Sequence, residues 1–171
     1  MTTKRYLSCA ETAKLLRQAL KREFPGHRFS VRSHAYAGGA SIDVSWTDGP
    51  TEAEVNAIAQ NFAGGGFDGS IDLAYHVTTW LTEDGQARVA YSPGTEGSRG
   101  GIPAYADEPP YAKAELVHMD ADYVFCQRDL SPWVTEQIRR HVAEAYSYQP
   151  GSYEIDREAR RLGAELSFSP R

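Results

Sequence analysis

His118, Asp120, Asp122 and Cys126 occupy alternate positions of the segment VHMDADYVFC. If that segment is one extended strand, its period-two geometry puts all four on one face, with His118, Asp120 and Asp122 about 6.6 Å from their neighbours and Cys126 about 13 Å beyond Asp122. The spacing of the first three suits ligands sharing a metal ion, while Cys126 is a candidate nucleophile for which the strand spacing itself brings no histidine within hydrogen-bond reach. The competing reading is a solvated strand face carrying an inert, small apolar cysteine. Asp68, Asp72 and His76 recur at intervals of four. On a strand, Asp72 and His76 stand about 13 Å apart at 3.3 Å per residue, too far to chelate one ion. The run Ala63–Gly69 contains Gly64, Gly65 and Gly66 but no lysine, and it follows a helical pattern rather than preceding one. That order excludes a phosphate-cradling loop and predicts helix termination with a glycine in the left-handed region. No Gly-x-Ser-x-Gly nucleophile elbow occurs.

The stronger recognition candidate is a polar hairpin face formed by Arg28, Ser30, Arg32, His34, Asp43 and Ser45, with Tyr36 near the tip. An aromatic beside cations can hold a partner's side chain or a nucleobase. The expected partner-binding set is Arg28, Arg32, His34, Tyr36 and Asp43, together with Asp68 and Asp72 of the glycine-rich segment. Arg32 opposite Asp43 also reads as an ordinary cross-strand pair worth a few tenths of a kcal/mol, roughly.

The elements that must position these residues follow from pattern. Ser8 and Glu11 have capping-box spacing, and Ala13, Leu16, Leu20 and Phe24 form a helical stripe ended by Pro25-Gly26. Strands are expected at Arg28–His34 and Ser41–Thr47, joined by the loop Ala35–Ala40. A symmetric register pairs Phe29 with Trp46 and Val31 with Val44 on the buried side, and sets Arg32 against Asp43 and Ser30 against Ser45 on the other. Thr51 and Glu54 start a second helix whose apolar face is Val55, Ile58, Ala59 and Phe62. A strand alternates through Ile71, Leu73, Tyr75, Val77 and Thr79, and Asp84-Gly85 turns the chain into Ala87–Tyr91. Residues 92–110 form one long Gly/Pro-rich loop, and Glu115–Cys126 resumes as a strand. Ser131-Pro132 opens a third helix carrying Val134, Ile138, Val142 and Ala145, and 151–171 is a tail with the makings of a short helix or strand. The order α-β-β-α-β-β-β-α predicts an α+β fold, a mostly antiparallel sheet with about three helices on one face, over a single domain 1–171.

Composition sets the boundaries of function. The 171 residues carry 18 basic and 23 acidic side chains, a net charge of -5. That balance disfavours a general nucleic-acid coat, which needs a basic surface. Cys9 and Cys126 show no zinc-ligand spacing, and no stretch reaches the roughly 20 apolar residues of a spanning helix. The N-terminus lacks the apolar run of a secretory signal. The expectation is a cytoplasmic protein with reduced thiols, no cofactor and no membrane association.

The stretch from Phe24-Pro25-Gly26 through Ser41-Ile42-Asp43-Val44-Ser45-Trp46-Thr47-Asp48-Gly49-Pro50 to Gly64-Gly65-Gly66-Phe67-Asp68-Gly69 resembles the large polyvalent protein-associated domain family numbered twenty-nine, and ADYVFCQRDLS resembles that family's downstream strand and helix start. The resemblance spans about Phe24 to Tyr146. It implies a context of phages, plasmids and conjugative elements in bacterial hosts, and carries over no catalytic residue. Three readings of function stand side by side. The leading one is a mobile-element accessory protein that binds a host protein or complex, of the kind that inhibits CRISPR or restriction defence. The second is a metal-assisted or cysteine-dependent enzyme on the His118, Asp120, Asp122 and Cys126 face. The third is a nucleic-acid module using Arg28, Arg32 and Tyr36.

Overall fold

The computed structural model describes residues 5–69, 72–90, 112–146 and 148–169. Helix α1 (Cys9–Glu23) begins with the expected reciprocal cap: Glu11 N–H donates to Ser8 Oγ, and Ser8 N–H donates to the Glu11 carboxylate. Its buried stripe is Thr12, Ala13, Leu16, Ala19 and Leu20, and Gly26 leaves it with φ +85°. This face packs on a hairpin of β2 (Ser30–Tyr36) and β3 (Gly39–Thr47), whose register is the one read from the pattern, Val31 against Val44 and Arg32 against Asp43. Pairing continues to Tyr36 and Gly39, so the expected six-residue loop contracts to a two-residue turn at Ala37-Gly38 with Gly38 at φ +93°. Such turns twist with the strands and need a positive φ.

Helix α2 (Glu52–Ala59) has the Thr51–Glu54 capping box and runs into a 3-10 turn at Gln60–Phe62. Phe62 is buried alongside Val55 and Ala59. The chain then forms β4 (Gly65–Asp68) and β5 (Leu73–His76), β6 (Thr79–Leu81) and β7 (Ala87–Val89), then β8 (Glu115–Met119) and β9 (Tyr123–Asp129). A short β1 (Arg5–Leu7) precedes α1, and α3 (Pro132–Ala145) and α4 (Ser152–Glu165) close the fold.

The class is α+β, with differences in detail from the pattern reading. Among the described residues the strands divide into three sheets, ordered β1-β8-β6-β7, β2-β3-β9 and β4-β5, and both β1–β8 and β3–β9 pair in parallel. Helices α1 and α2 bury Leu16, Leu20 and Val55 against Ile42, Val44, Trp46, Val117 and Met119 in the main core. Among the described residues there are four α-helices where about three were expected: the tail becomes α4, which packs on α3 around Val134, Ile138, Val142 and Ala159 in a core of its own. The single strand expected across 71–79 is broken at Val77 and Thr78, both buried, where alternation fails because the chain changes sheets. Val77 N–H donates to Gly64 O at that point, and Thr78 O accepts from Ala90 N–H. The Gly/Pro-rich loop 92–110 and Ile71 lie outside the described residues.

The glycine reading is corrected as well. Among the described residues, positive-φ glycines are Gly26, Gly38, Gly49 and Gly85, and Gly64, Gly65, Gly66 and Gly69 are not among them. These glycines are required by proximity. A Cβ on Gly64 would fall 1.6 Å from Met119 O, and one on Gly66 2.4 Å from the Tyr75 ring. Gly64 N–H donates to Ala121 O at 2.6 Å and Gly65 N–H to Asp122 O at 3.1 Å, so the backbone itself occupies the space a side chain would take.

Candidate functional site

The sheet β2-β3-β9 has one covered and one open face. Ile42, Val44, Trp46 and Val124 point toward α1 and α2, so alternation sends Arg32, His34, Tyr36, Asp43, Ser45, Tyr123, Phe125 and Gln127 the other way. Register aligns them in rows across the strands: His34–Ser41–Tyr123, Arg32–Asp43–Phe125 and Ser30–Ser45–Gln127. Three large aromatics stand open on this surface, Tyr36 at 52 % exposure, Tyr123 at 46 % and Phe125 at 56 %. Tyr123 and Phe125 stack on each other, with ring centroids 6.0 Å apart at 26°. His34 Nε2 lies 3.1 Å from Asp43 Oδ2. Arg32, although directly across from Asp43, makes no ion pair among the described residues, so the carboxylate is claimed by the diagonal histidine rather than the expected arginine.

Beyond the Ser30–Gln127 row the face runs into a groove of about 960 Å³ lined by His27, Arg28, Thr47, Asp129 and Trp133 among others. Trp133 sits in the first turn of α3, which Ser131 caps by accepting from Val134 N–H, and is 55 % exposed. Arg28 and Arg32 are matched in charge by Asp43 and Asp129, leaving the surface aromatic and close to neutral. Both free edges of the sheet are met by side chains: Arg17 donates to Val31 O at 2.7 Å, and Gln60 to Val124 O at 3.1 Å. These contacts discourage strand-to-strand pairing and leave the flat face as the accessible part.

Of the residues expected to bind a partner, Arg32, His34, Tyr36 and Asp43 share this face, and Arg28 stands at its groove end. Asp68 and Asp72 belong instead to the separate β4-β5 hairpin: Asp68 pairs in register with Leu73, its side chain outside the described residues, and Asp72 is exposed at φ 51°. Tyr123, Phe125 and Trp133 are additions that the alternation pattern alone missed. The placement of Tyr123 and Phe125 on this face depends on β9 pairing in parallel with β3, a partner more than 80 residues away in sequence.

The four residues of the proposed chemical face do not assemble. The segment bends at Asp120–Asp122, so His118 lies in β8 of one sheet and Cys126 in β9 of another. Asp122 is occupied structurally: Oδ2 accepts from Ala40 N–H at 3.2 Å while its own N–H donates to Ala40 O at 2.8 Å. Cys126 turns toward the core, where burial, with Glu52 adding to it, pushes the thiol up to about 11. At neutral pH it is a protonated thiol, not a nucleophile. Among the described residues no three of His, Cys, Asp and Glu converge as metal ligands, and no helix is long and apolar enough to cross a membrane.

Comparison with curated proteins and with solved structures gave no match. A family model described as large polyvalent protein associated domain 29 matches residues 7–131, starting earlier than the expected Phe24 and stopping at the N-cap of α3 rather than at Tyr146. The matched segment holds α1, α2 and strands β2 to β9, with only Leu7 of β1, and α3 and α4 lie outside it. The chain belongs to the large polyvalent protein associated domain 29 family, which is associated with the polyvalent proteins of phages and mobile elements.

Proposed function

We propose that this chain is a mobile-element accessory module that binds a host protein through the open face of β2-β3-β9, the partner being a component of bacterial defence of the CRISPR or restriction kind. The observation that carries this reading is the cluster of exposed Tyr36, Tyr123 and Phe125 in a field of balanced charge. Protein interfaces concentrate their binding energy in Tyr, Trp and Arg anchors set in a polar surround. A surface for nucleic acid would need an excess of cations to displace counterions, and here Asp43 and Asp129 offset Arg28 and Arg32. The family's association with mobile elements supports a partner from the invaded cell.

The test compares the wild-type protein with Tyr123→Ala/Phe125→Ala as affinity bait in bacterial lysate, alongside protection of an incoming phage from CRISPR interference or restriction. Each truncated anchor should weaken binding by about 1–2 kcal/mol while melting temperature stays near wild type, because both rings are solvent-facing. Protection should fall in parallel. Capture of the same partner by the double variant with unchanged protection overturns the assignment of the face. A gel shift with a steep salt dependence in place of protein capture would replace the partner with nucleic acid.

A further inference from the structure

We propose that His76 and His118 form an open two-histidine site for a late first-row divalent cation, with Zn²⁺ and Cu²⁺ as the ions of matching chemistry. The two residues lie on different sheets, His76 at the end of β5 and His118 in β8, and the fold brings their rings to a centroid separation of 5.4 Å. That distance has a specific meaning. An imidazole nitrogen sits about 2.0–2.1 Å from zinc, which puts its ring centroid roughly 3.2 Å from the ion. Two such rings at a tetrahedral angle have centroids about 5.2 Å apart. The interplanar angle of 78° keeps them from stacking face to face.

A second observation concerns the proton. His118 Nδ1 lies 3.1 Å from the Val77 carbonyl oxygen. A carbonyl can only accept, so Nδ1 carries the hydrogen and the neutral ring presents its lone pair at Nε2. Histidines that bind metals are oriented in this way, donating the other ring N–H to a backbone carbonyl or carboxylate. Val77 is itself held by donating its N–H to Gly64 O at 2.7 Å, so the orienting carbonyl belongs to a fixed piece of backbone. The Tyr6 ring packs on His118 at 5.3 Å and limits its rotation. His76 is exposed and His118 half-buried, which gives an ion an approach from solvent.

Imidazole donors suit zinc, copper and nickel, whereas magnesium and calcium favour oxygen ligands. Among the described residues no third His, Cys or carboxylate joins the pair. Water or an incoming ligand takes the remaining coordination positions, so the site is an exchangeable one. The pair also makes sense as an edge-to-face aromatic contact without any ion, and the experiment separates the two.

Untagged full-length protein is titrated with Zn²⁺ by calorimetry and with Cu²⁺ by electron paramagnetic resonance. The expected result is one equivalent bound, with nitrogen hyperfine structure from two imidazoles. His76→Phe keeps an aromatic ring in place and removes the nitrogen, so affinity should fall by about tenfold or more with the melting temperature unchanged. His27→Gln, His34→Gln and His141→Gln, covering the other three of the five histidines, should leave it intact. Binding that survives His76→Phe, or that is lost instead in one of those three controls, overturns the site. So does a wild-type protein that takes up neither ion.

Discussion

Replacing Gly64 by alanine would place a methyl carbon 1.6 Å from the Met119 carbonyl oxygen. Unstrained nonbonded atoms of this kind sit roughly 3.5 Å apart, so the chain at Gly64 would have to retreat by about 2 Å. A shift of that size breaks three backbone hydrogen bonds: Gly64 N–H to Ala121 O at 2.6 Å, Gly65 N–H to Asp122 O at 3.1 Å and Val77 N–H to Gly64 O at 2.7 Å. Each is worth about 1 kcal/mol net, and more where a buried group is left without a partner. The expected loss is therefore about 3–5 kcal/mol, a large part of the stability of a domain this size. Urea unfolding followed by far-ultraviolet circular dichroism and by fluorescence of buried Trp46 and Trp80 reads it directly. Gly69→Ala is the internal control, since its Cβ would meet only Phe67 Cε1 at an ordinary 3.7 Å and should change stability by no more than about 0.5 kcal/mol. Gly64→Asn distinguishes proximity from backbone conformation. Asparagine tolerates the left-handed region, so it would rescue a helix cap, but it carries the same Cβ and should be as damaging as alanine here. A Gly64→Ala protein within about 1 kcal/mol of wild type, or an Asn variant clearly better than Ala, would refute the close-approach argument.

Trp46→Ala should cost about 3–5 kcal/mol by urea titration, because the ring is 4 % exposed and its Nε1–H donates to Pro50 O at 2.9 Å. Arg128→Ala should release the α3-α4 pair from the sheet domain, since its guanidinium donates to the carbonyls of Gly49, Pro50, Gly163 and Leu166; limited proteolysis should then cut after β9 while the 7–131 core persists, and uniform resistance would contradict that latch. Stability should also decline in acid. Hydrogen bonds from the Ser8 hydroxyl and backbone hold Glu11 below its ordinary 4.5, and those from Ser167 and then Thr51 do the same for Glu54. Lowered carboxyl values mean that the contribution is complete above about pH 4.5 and is lost as pH falls below it, when both capping boxes protonate. Glu54→Gln should flatten that acid limb of the melting-temperature profile, and a profile identical to wild type would show the cap to be immaterial.

Local chemistry was enough to identify the parts that depend on near neighbours. The capping boxes at Ser8–Glu11 and Thr51–Glu54 act within a single helical turn, and the β2–β3 register follows from apolar residues matching apolar ones across a short turn. The family context was legible for a similar reason, in two contiguous stretches, Phe24 to Gly69 and Ala121 to Ser131. Other features needed the assembled chain. The bend at Asp120–Asp122 interrupts the alternation, so His118 and Cys126 part into different sheets. The parallel pairing of β3 with β9 sets Phe125 beside Asp43, and no pattern within either strand specifies that partner. His76 meets His118 only because β5 and β8 are brought together, and the glycines at 64–66 are demanded by backbone and ring atoms contributed by other strands. Periodicity records which side of its own strand a residue faces. Which other strand lies opposite is decided by long-range packing of the core, and the open aromatic face and the histidine pair are products of that decision.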